Sequence, residues 1–150
     1  MIDDAGDAAV AVDTSVFIYL IEEHARYLPL VRPLFAEADA GRRELVTSAM
    51  TLLEVLVAPY RAGDISLAHR YELLLTRSRG IRLVDITRDQ LRSAARLRGA
   101  LRVRTPDAIQ LSCAVAAGCS TFLTNDRQLP PVAGLRVLQL SSYLATGKKR

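Results

Sequence analysis

Lysine is nearly missing from this chain: among 150 residues the only two are Lys148 and Lys149. A phospho-receiver domain, which gathers acids at strand ends but needs a lysine beside the phosphorylated aspartate, is therefore excluded. Histidine and cysteine are equally scarce. His24, His69, Cys113 and Cys119 are too few and too scattered for a zinc site. The two cysteines lie six apart, on opposite faces of a helix, and make poor disulfide partners. Both are expected to be reduced core residues, in a cytoplasmic setting. No apolar run approaches the roughly 20 residues needed to span a membrane, so no membrane partner is expected. The opening MIDDAGDAA is acidic and lacks the basic region of a secretory signal. Residues 1–7 read as a short solvated leader and 146–150 as a basic tail, on a single domain that fills 1–150.

Half of the residues are apolar and 24% are charged, the balance of a globular chain with a real core. A domain of this size buries roughly 68–70% of its unfolded surface. The net charge is +4 and the pI about 9.4, carried almost entirely by arginine. Arginine suits phosphate and carboxylate, because its planar fork binds both bidentately. Such an excess permits a nucleic-acid or acidic-protein partner without requiring one.

Short segments rich in Val, Ile and Leu predict strands at 8–12, 44–47, 81–86, 120–124 and 135–138. Helical patterns fill the gaps at 15–23, 28–40, 50–61, 65–79, 88–101 and 106–117. Strands that alternate with helices predict a parallel α/β sheet covered on both faces. Gly80 and Gly118 fit the left-handed position that ends a helix. The stretch NDRQLPPVAG (125–134) reads as a loop.

Four acids stand in awkward places. Asp13 in AAVAVDTSVFIYLIEE separates two apolar runs, directly after the first strand. Asp126 repeats the arrangement in STFLTND. In open α/β sheets ligands bind beyond the carboxyl ends of the strands, although an aspartate there also serves as an N-cap or turn residue. Glu54 sits in SAMTLLEVLVAPY, where its neighbours leave little room for a polar face. Thr51-Leu52-Leu53-Glu54 matches a capping box, but Ser48 is an equally good cap. In RTPDAIQLSCAVAAG, Thr105 fits the N-cap, Pro106 the first helical residue and Asp107 the positive helix end.

The four together carry more information than each alone. A parallel sheet can bring them to one edge, where two like charges 4 Å apart repel by about 4 kcal/mol at an effective dielectric near 20. A cluster of four needs a cation or raised pKa values. All-oxygen ligands without His or Cys favour Mg²⁺ or Mn²⁺, ions that lower the pKa of a bound water and stabilise charge on a phosphoryl group. Thr14, Ser15 and Asn125 lie beside the acids and can orient a ligand or water, with ordinary capping the simpler role for Ser15. An aspartyl-nucleophile phosphatase would place a second Asp where Ser15 stands.

At VAVDTSVFIYLIE, TSAMTLLEVLVAP, RTPDAIQLSCAVAAGCSTFLTND and the tail LPPVAGLRVLQL, the sequence resembles the PIN-domain family, and within it the VapC-type toxins of bacterial toxin–antitoxin (VapBC) pairs. The stretches come in family order and cover most of the chain. The resemblance implies a three-layer α/β/α PIN-like fold with a mainly parallel five-stranded sheet. It implies an endoribonuclease that uses Mg²⁺ or Mn²⁺ to activate water, leaving a 5′-phosphate and a 3′-hydroxyl. It places Asp13, Glu54, Asp107 and Asp126 as the catalytic and metal-binding centre, with Thr14 and Asn125 in support. It also implies an RNA substrate (tRNA or rRNA), a VapB-type antitoxin laid across the site, and a homodimer. An antitoxin's basic side chain would then stand in for the metal's charge. The alternative within the family is a PIN nuclease of RNA processing or quality control with no antitoxin.

Nine arginines lie between Arg77 and Arg104, against only Asp85 and Asp89. Arg88, Arg92 and Arg96 are four apart and form one helical stripe. Arg92, Arg96, Arg102 and Arg104 are the candidates for guiding an RNA backbone, since phosphate contacts position without reading sequence. The plainer reading is a solvated face.

Overall fold

A computed structural model describes residues 1–6 and 9–144. Asp7, Ala8 and residues 145–150 lie outside the described residues, and with them the last residue of the leader, the first residue of the first predicted strand and the basic tail.

The elements run β1 (Val10–Val12), α1 (Thr14–Ile21), α2 (Leu28–Asp39), β2 (Leu45–Ser48), α3 (Met50–Ala62), α4 (Ile65–Arg77), β3 (Ile81–Val84), α5 (Arg88–Ala100), α6 (Thr105–Ala116), β4 (Thr121–Thr124), β5 (Arg136–Gln139) and a final turn of 3₁₀ helix, Leu140–Tyr143. The five strands form one sheet in the order β3-β2-β1-β4-β5, and every pairing is parallel. The chain leaves β1 toward β2 and β3, then returns to the other side for β4 and β5. The order therefore reverses between β1 and β4, the switch point where α/β sheets open a crevice at their carboxyl ends.

Alternation along the strands sorts the core into two layers. Val10, Val12, Leu45, Leu123 and Leu138 face the α1–α4 side, where they meet Val16, Phe17, Leu34, Val55, Tyr71 and Leu75. Ala11, Val46 and Phe122 face the α5–α6 side and meet Leu111, Ala114 and Leu97. Strands buried on both faces explain the continuous apolar runs of the sequence. Both cysteines are buried and free, as expected. Burial pushes the Cys113 thiol up to about 11, which leaves it protonated and inert.

Three local expectations change. Residues 1–6 are not a free leader: Ala5 is only 4% exposed, and the buried Arg43 guanidinium donates to the carbonyls of Gly6 and Ile2. Arg104, not Thr105, occupies the N-cap of α6. Gly118 follows the C-cap of α6 with φ +77°, as a helix terminator should. Gly80 is left-handed too (φ +76°), but α4 has already ended at Arg77. Gly80 instead turns the chain into β3 against the end of α2, where a Cβ would lie 2.2 Å from the Ala38 carbonyl oxygen. Gly80→Ala combines left-handed strain with that clash and is expected to cost about 2 kcal/mol. Urea denaturation should show a lower midpoint with an unchanged slope. Among the described residues no helix is long and apolar enough to cross a membrane.

Candidate active site

The four acids reach the same end of the sheet by four local routes. Asp13 ends β1 and caps α1: its Oδ1 accepts the Thr14 N–H at 2.8 Å, with extended backbone (φ −74°, ψ 158°). The capping role is thus real. It uses one carboxylate oxygen and leaves the second, Oδ2, to accept the Thr124 hydroxyl at 2.8 Å and a longer contact from Ser15 at 3.5 Å. Asp107 stands in the first turn of α6, at its positive end. Asp126 follows β4 in a turn, its Oδ1 accepting the Gln128 N–H at 2.9 Å. Asp13 and Asp126 therefore flank the β1/β4 switch point.

Glu54 is no capping-box residue. Helix α3 starts at Met50 with Ala49 at its N-cap, and the Ser48 hydroxyl accepts the Met50 N–H at 3.1 Å. The Glu54 carboxylate accepts the Thr14 hydroxyl at 2.9 Å, across 40 residues of chain. Nor is Glu54 hidden among its apolar neighbours. Thr51, Val55 and Pro59 form the buried face of α3. The solvent face carries Glu54 together with the exposed Leu53, Val57 and Tyr60.

All four acids line one cleft of about 430 Å³, together with Thr14, Ser15, Ile18, Arg104 and Gln128. Burial first, and then the nearby charges of Glu54 and Asp107, hold the Asp13 carboxyl above its usual range, against the opposing hydrogen bonds from Thr124 and Thr14. Negative charge crowded into a half-buried cleft, with Asp107 alone of the four acids paired to an arginine among the described residues, is the condition that a divalent cation relieves. The donor set, carboxylates flanked by hydroxyls, is the hard-oxygen chemistry of Mg²⁺ or Mn²⁺. Among the described residues no three acidic, His or Cys side chains already converge on one point. Each acid is occupied by a neighbour: Asp13 by Thr14 and Thr124, Glu54 by Thr14, Asp107 by Arg104 and Asp126 by the Gln128 N–H.

Behind the acids lies a polar network that the reading of the sequence missed. The Gln110 amide, 3% exposed in an otherwise apolar stretch of α6, crosses the end of the sheet to α3 and α1. It donates to the Thr51 hydroxyl at 2.7 Å and to that of Thr14 at 3.4 Å, while its carbonyl accepts the Ser48 N–H at 3.3 Å. Thr47 donates to the Val12 carbonyl at 3.0 Å and sits 2.7 Å from Thr51. A hydroxyl has one proton to give and an amide two. The Thr14 and Thr51 hydroxyls also lie 3.1 Å apart. One assignment gives every proton an acceptor without using that contact: Thr47 to Val12, Thr51 to Thr47, Gln110 to Thr51 and Thr14, and Thr14 to Glu54. The relay ends on the Glu54 carboxylate.

Of the other singled-out residues, Asn125, Arg92 and Arg96 do not line the acidic cleft. The Asn125 amide donates to the Tyr19 hydroxyl at 3.1 Å and its carbonyl accepts the Ser141 N–H at 3.2 Å, tying the end of β4 to α1 and to the last turn. Arg102 lines a smaller adjoining cleft with Arg104, Asp107, Asp126 and Leu129. Arg92 pairs with Asp89 at 2.6 Å on the surface of α5, and Arg96 lines an apolar groove between α5 and α6.

A mainly parallel α/β/α sandwich with carboxylates at its switch point is the architecture of PIN-like proteins. The PIN domain family matches residues 10–135, and the chain belongs to that family. No curated protein sequence matches it. Among solved structures it is similar to DNA-bound VapBC from Salmonella typhimurium, with 18% identity, TM-score 0.69, and 89% of this chain and 98% of that one covered. It is also similar to VapBC2 from Rickettsia felis bound to a promoter DNA fragment (16%, 0.67, 87% and 98%). A third similar structure is Mycobacterium tuberculosis VapC20, a sarcin–ricin-loop-cleaving toxin (18%, 0.64, 79% and 91%). These likenesses concern the fold.

Proposed function

We propose that the chain is a Mg²⁺- or Mn²⁺-dependent endoribonuclease of the VapC toxin type, built as one PIN domain and working in the cytoplasm. The observation that carries this reading is the single cleft shared by Asp13, Glu54, Asp107 and Asp126, in which the Asp13 carboxyl is pushed up by burial and by two neighbouring acids. Those four side chains would hold the ion. A bound divalent ion supplies a water of lowered pKa and neutralises charge on the phosphoryl oxygens. The chain supplies the rest. Thr124 and the Thr14 N–H fix Asp13, Thr14 aims Glu54, and Gln110 sets the Thr14 hydroxyl. Arg102 and Arg104, at the mouth, suit the phosphates of an RNA backbone.

The solvent face of α3 supports a protein partner. Leu53 is 61% and Tyr60 54% exposed, and with Val57 they follow one another at helical spacing. This apolar strip runs along the helix that carries Glu54 and fits an antitoxin segment laid toward the acids. The apolar groove between α5 and α6, with Leu97, Leu101 and Val115 in its walls, fits the contact of a homodimer.

The purified chain is expected to cleave tRNA or rRNA with Mn²⁺ or Mg²⁺, leaving 5′-phosphate and 3′-hydroxyl ends, and to stop when EDTA is added. Cleavage that persists under chelation would overturn the metal-dependent reading. Cleavage that no small co-expressed partner silences would favour RNA processing without an antitoxin.

A further inference from the structure

The cation that the cleft calls for has a counterpart within the chain. Arg104 occupies the N-cap position of α6 and reaches along its first turn, its Nε donating to Asp107 Oδ2 at 3.0 Å. Taken alone this would be an ordinary ion pair at a helix start, three residues apart and with the guanidinium 78% exposed. Its position places it in the cleft. Arg104 lines both the main cleft and its smaller neighbour, each time with Asp107, Asp126 and Gln128, and in the main cleft it shares the lining with Asp13 and Glu54 as well. The peptide that carries it is braced from behind. Arg98 of α5 donates to the Val103 carbonyl at 3.1 Å and to the Thr105 hydroxyl at 2.8 Å, fixing the turn on both sides of Arg104.

We propose that Arg104 is a resident counter-cation of the carboxylate cleft, with which a divalent ion must compete for Asp107. The inference rests on the metal-binding reading above and adds a competitor to it. The guanidinium on Asp107 Oδ2 and an ion on the same carboxylate repel one another, so each weakens the other's hold. Arg104, exposed and at the mouth, is free to swing toward the neighbouring cleft. The chain thereby supplies for itself the basic side chain that the sequence led us to expect from an antitoxin. Arg104 acts as a positioning residue: it keeps the metal-free acids from repelling one another and sets the cation concentration at which the site fills.

The test is calorimetric titration of Mn²⁺ into the metal-free wild type, Arg104→Gln and Arg104→Lys, with melting temperatures recorded before and after saturation. An exposed pair is weak, so removing the charge should tighten Mn²⁺ binding about two- to fivefold. Arg104→Gln should also melt below the wild type without metal, and the gap should close at saturating Mn²⁺. Arg104→Lys should stay close to wild type in both. Equal Mn²⁺ affinity in wild type and Arg104→Gln overturns the competition and leaves the metal site standing. Weaker binding by Arg104→Gln overturns it too, making the arginine a helper of the ion. Absence of saturable binding in all three removes the metal reading and the competition with it.

Discussion

Asp13→Asn should raise the melting temperature of the metal-free protein at pH 7 while removing its RNA cleavage. The stability half follows from where the carboxylate sits. It is inserted between β1 and α1, where burial, Glu54 and Asp107 all oppose its charge and the donors Thr14 and Thr124 offset that only in part. An acid whose folded pKa lies above its unfolded value adds stability below the unfolded value of 3.8, and loses it as pH rises through the folded one. At neutral pH the wild type therefore carries a charge that the fold disfavours. Asparagine removes that charge and keeps an oxygen for the Thr14 N–H. The gain is about 1 kcal/mol, or about 2–4 °C for a chain of this size. The difference between the melting temperatures should be small near pH 4 and open as pH rises, which a pH series in the presence of chelator would show. The activity half rests on the proposed metal role of Asp13. A lost ligand forfeits several kcal/mol of transition-state stabilisation, a fall of at least about 10³-fold in cleavage. A lower melting temperature for Asp13→Asn at pH 7 would mean that the two donors outweigh the burial. Cleavage within tenfold of wild type would remove Asp13 from the centre.

How much of this was legible in the sequence depends on how local each signal was. Strand order aside, the elements declare themselves through short aliphatic runs and helical periodicity, because a sheet covered on both faces leaves little room for polar residues. Asp13 and Asp126 stand out because each breaks such a run at a strand end. The environment of Glu54 was misleading. Its apolar neighbours suggested burial, whereas Leu53 and Val57 are exposed beside it, and one sequence cannot tell a core face from a face kept for a partner. The docking of residues 1–6 by Arg43 was hidden for another reason: it is one side chain satisfying carbonyls 37 and 41 positions away. Gln110 was the sharpest omission. A lone amide between Ile109 and Leu111 was itself a signal, since a buried polar group must find partners. Those partners, Thr14 and Thr51, lie 96 and 59 residues away and converge only once the sheet is built.

Gln110→Leu should therefore do more damage than its distance from solvent suggests. Leucine nearly conserves volume, so little of the loss comes from a cavity. What disappears is an acceptor for the buried Ser48 N–H and two donors to the threonines. An orphaned buried N–H costs about 1–3 kcal/mol, and each hydrogen bond lost adds about 1. The total is about 3 kcal/mol, which should lower the melting temperature by about 6–12 °C. The second consequence is directional. With Gln110 gone, nothing obliges Thr51 to give its proton to Thr47 and Thr14 to give its own to Glu54. Glu54 loses its fixed donor for part of the time. Partners that orient metal ligands from outside are commonly worth about 10–100-fold in affinity or activity. Mn²⁺ titration of the folded variant at low temperature separates the two effects. A destabilised variant with wild-type Mn²⁺ affinity would make Gln110 a strut between α6 and α3 and nothing more. Weakened binding, matched by Thr14→Val and restored in Thr14→Ser, would identify the chain from Gln110 through Thr14 as what holds Glu54 in place.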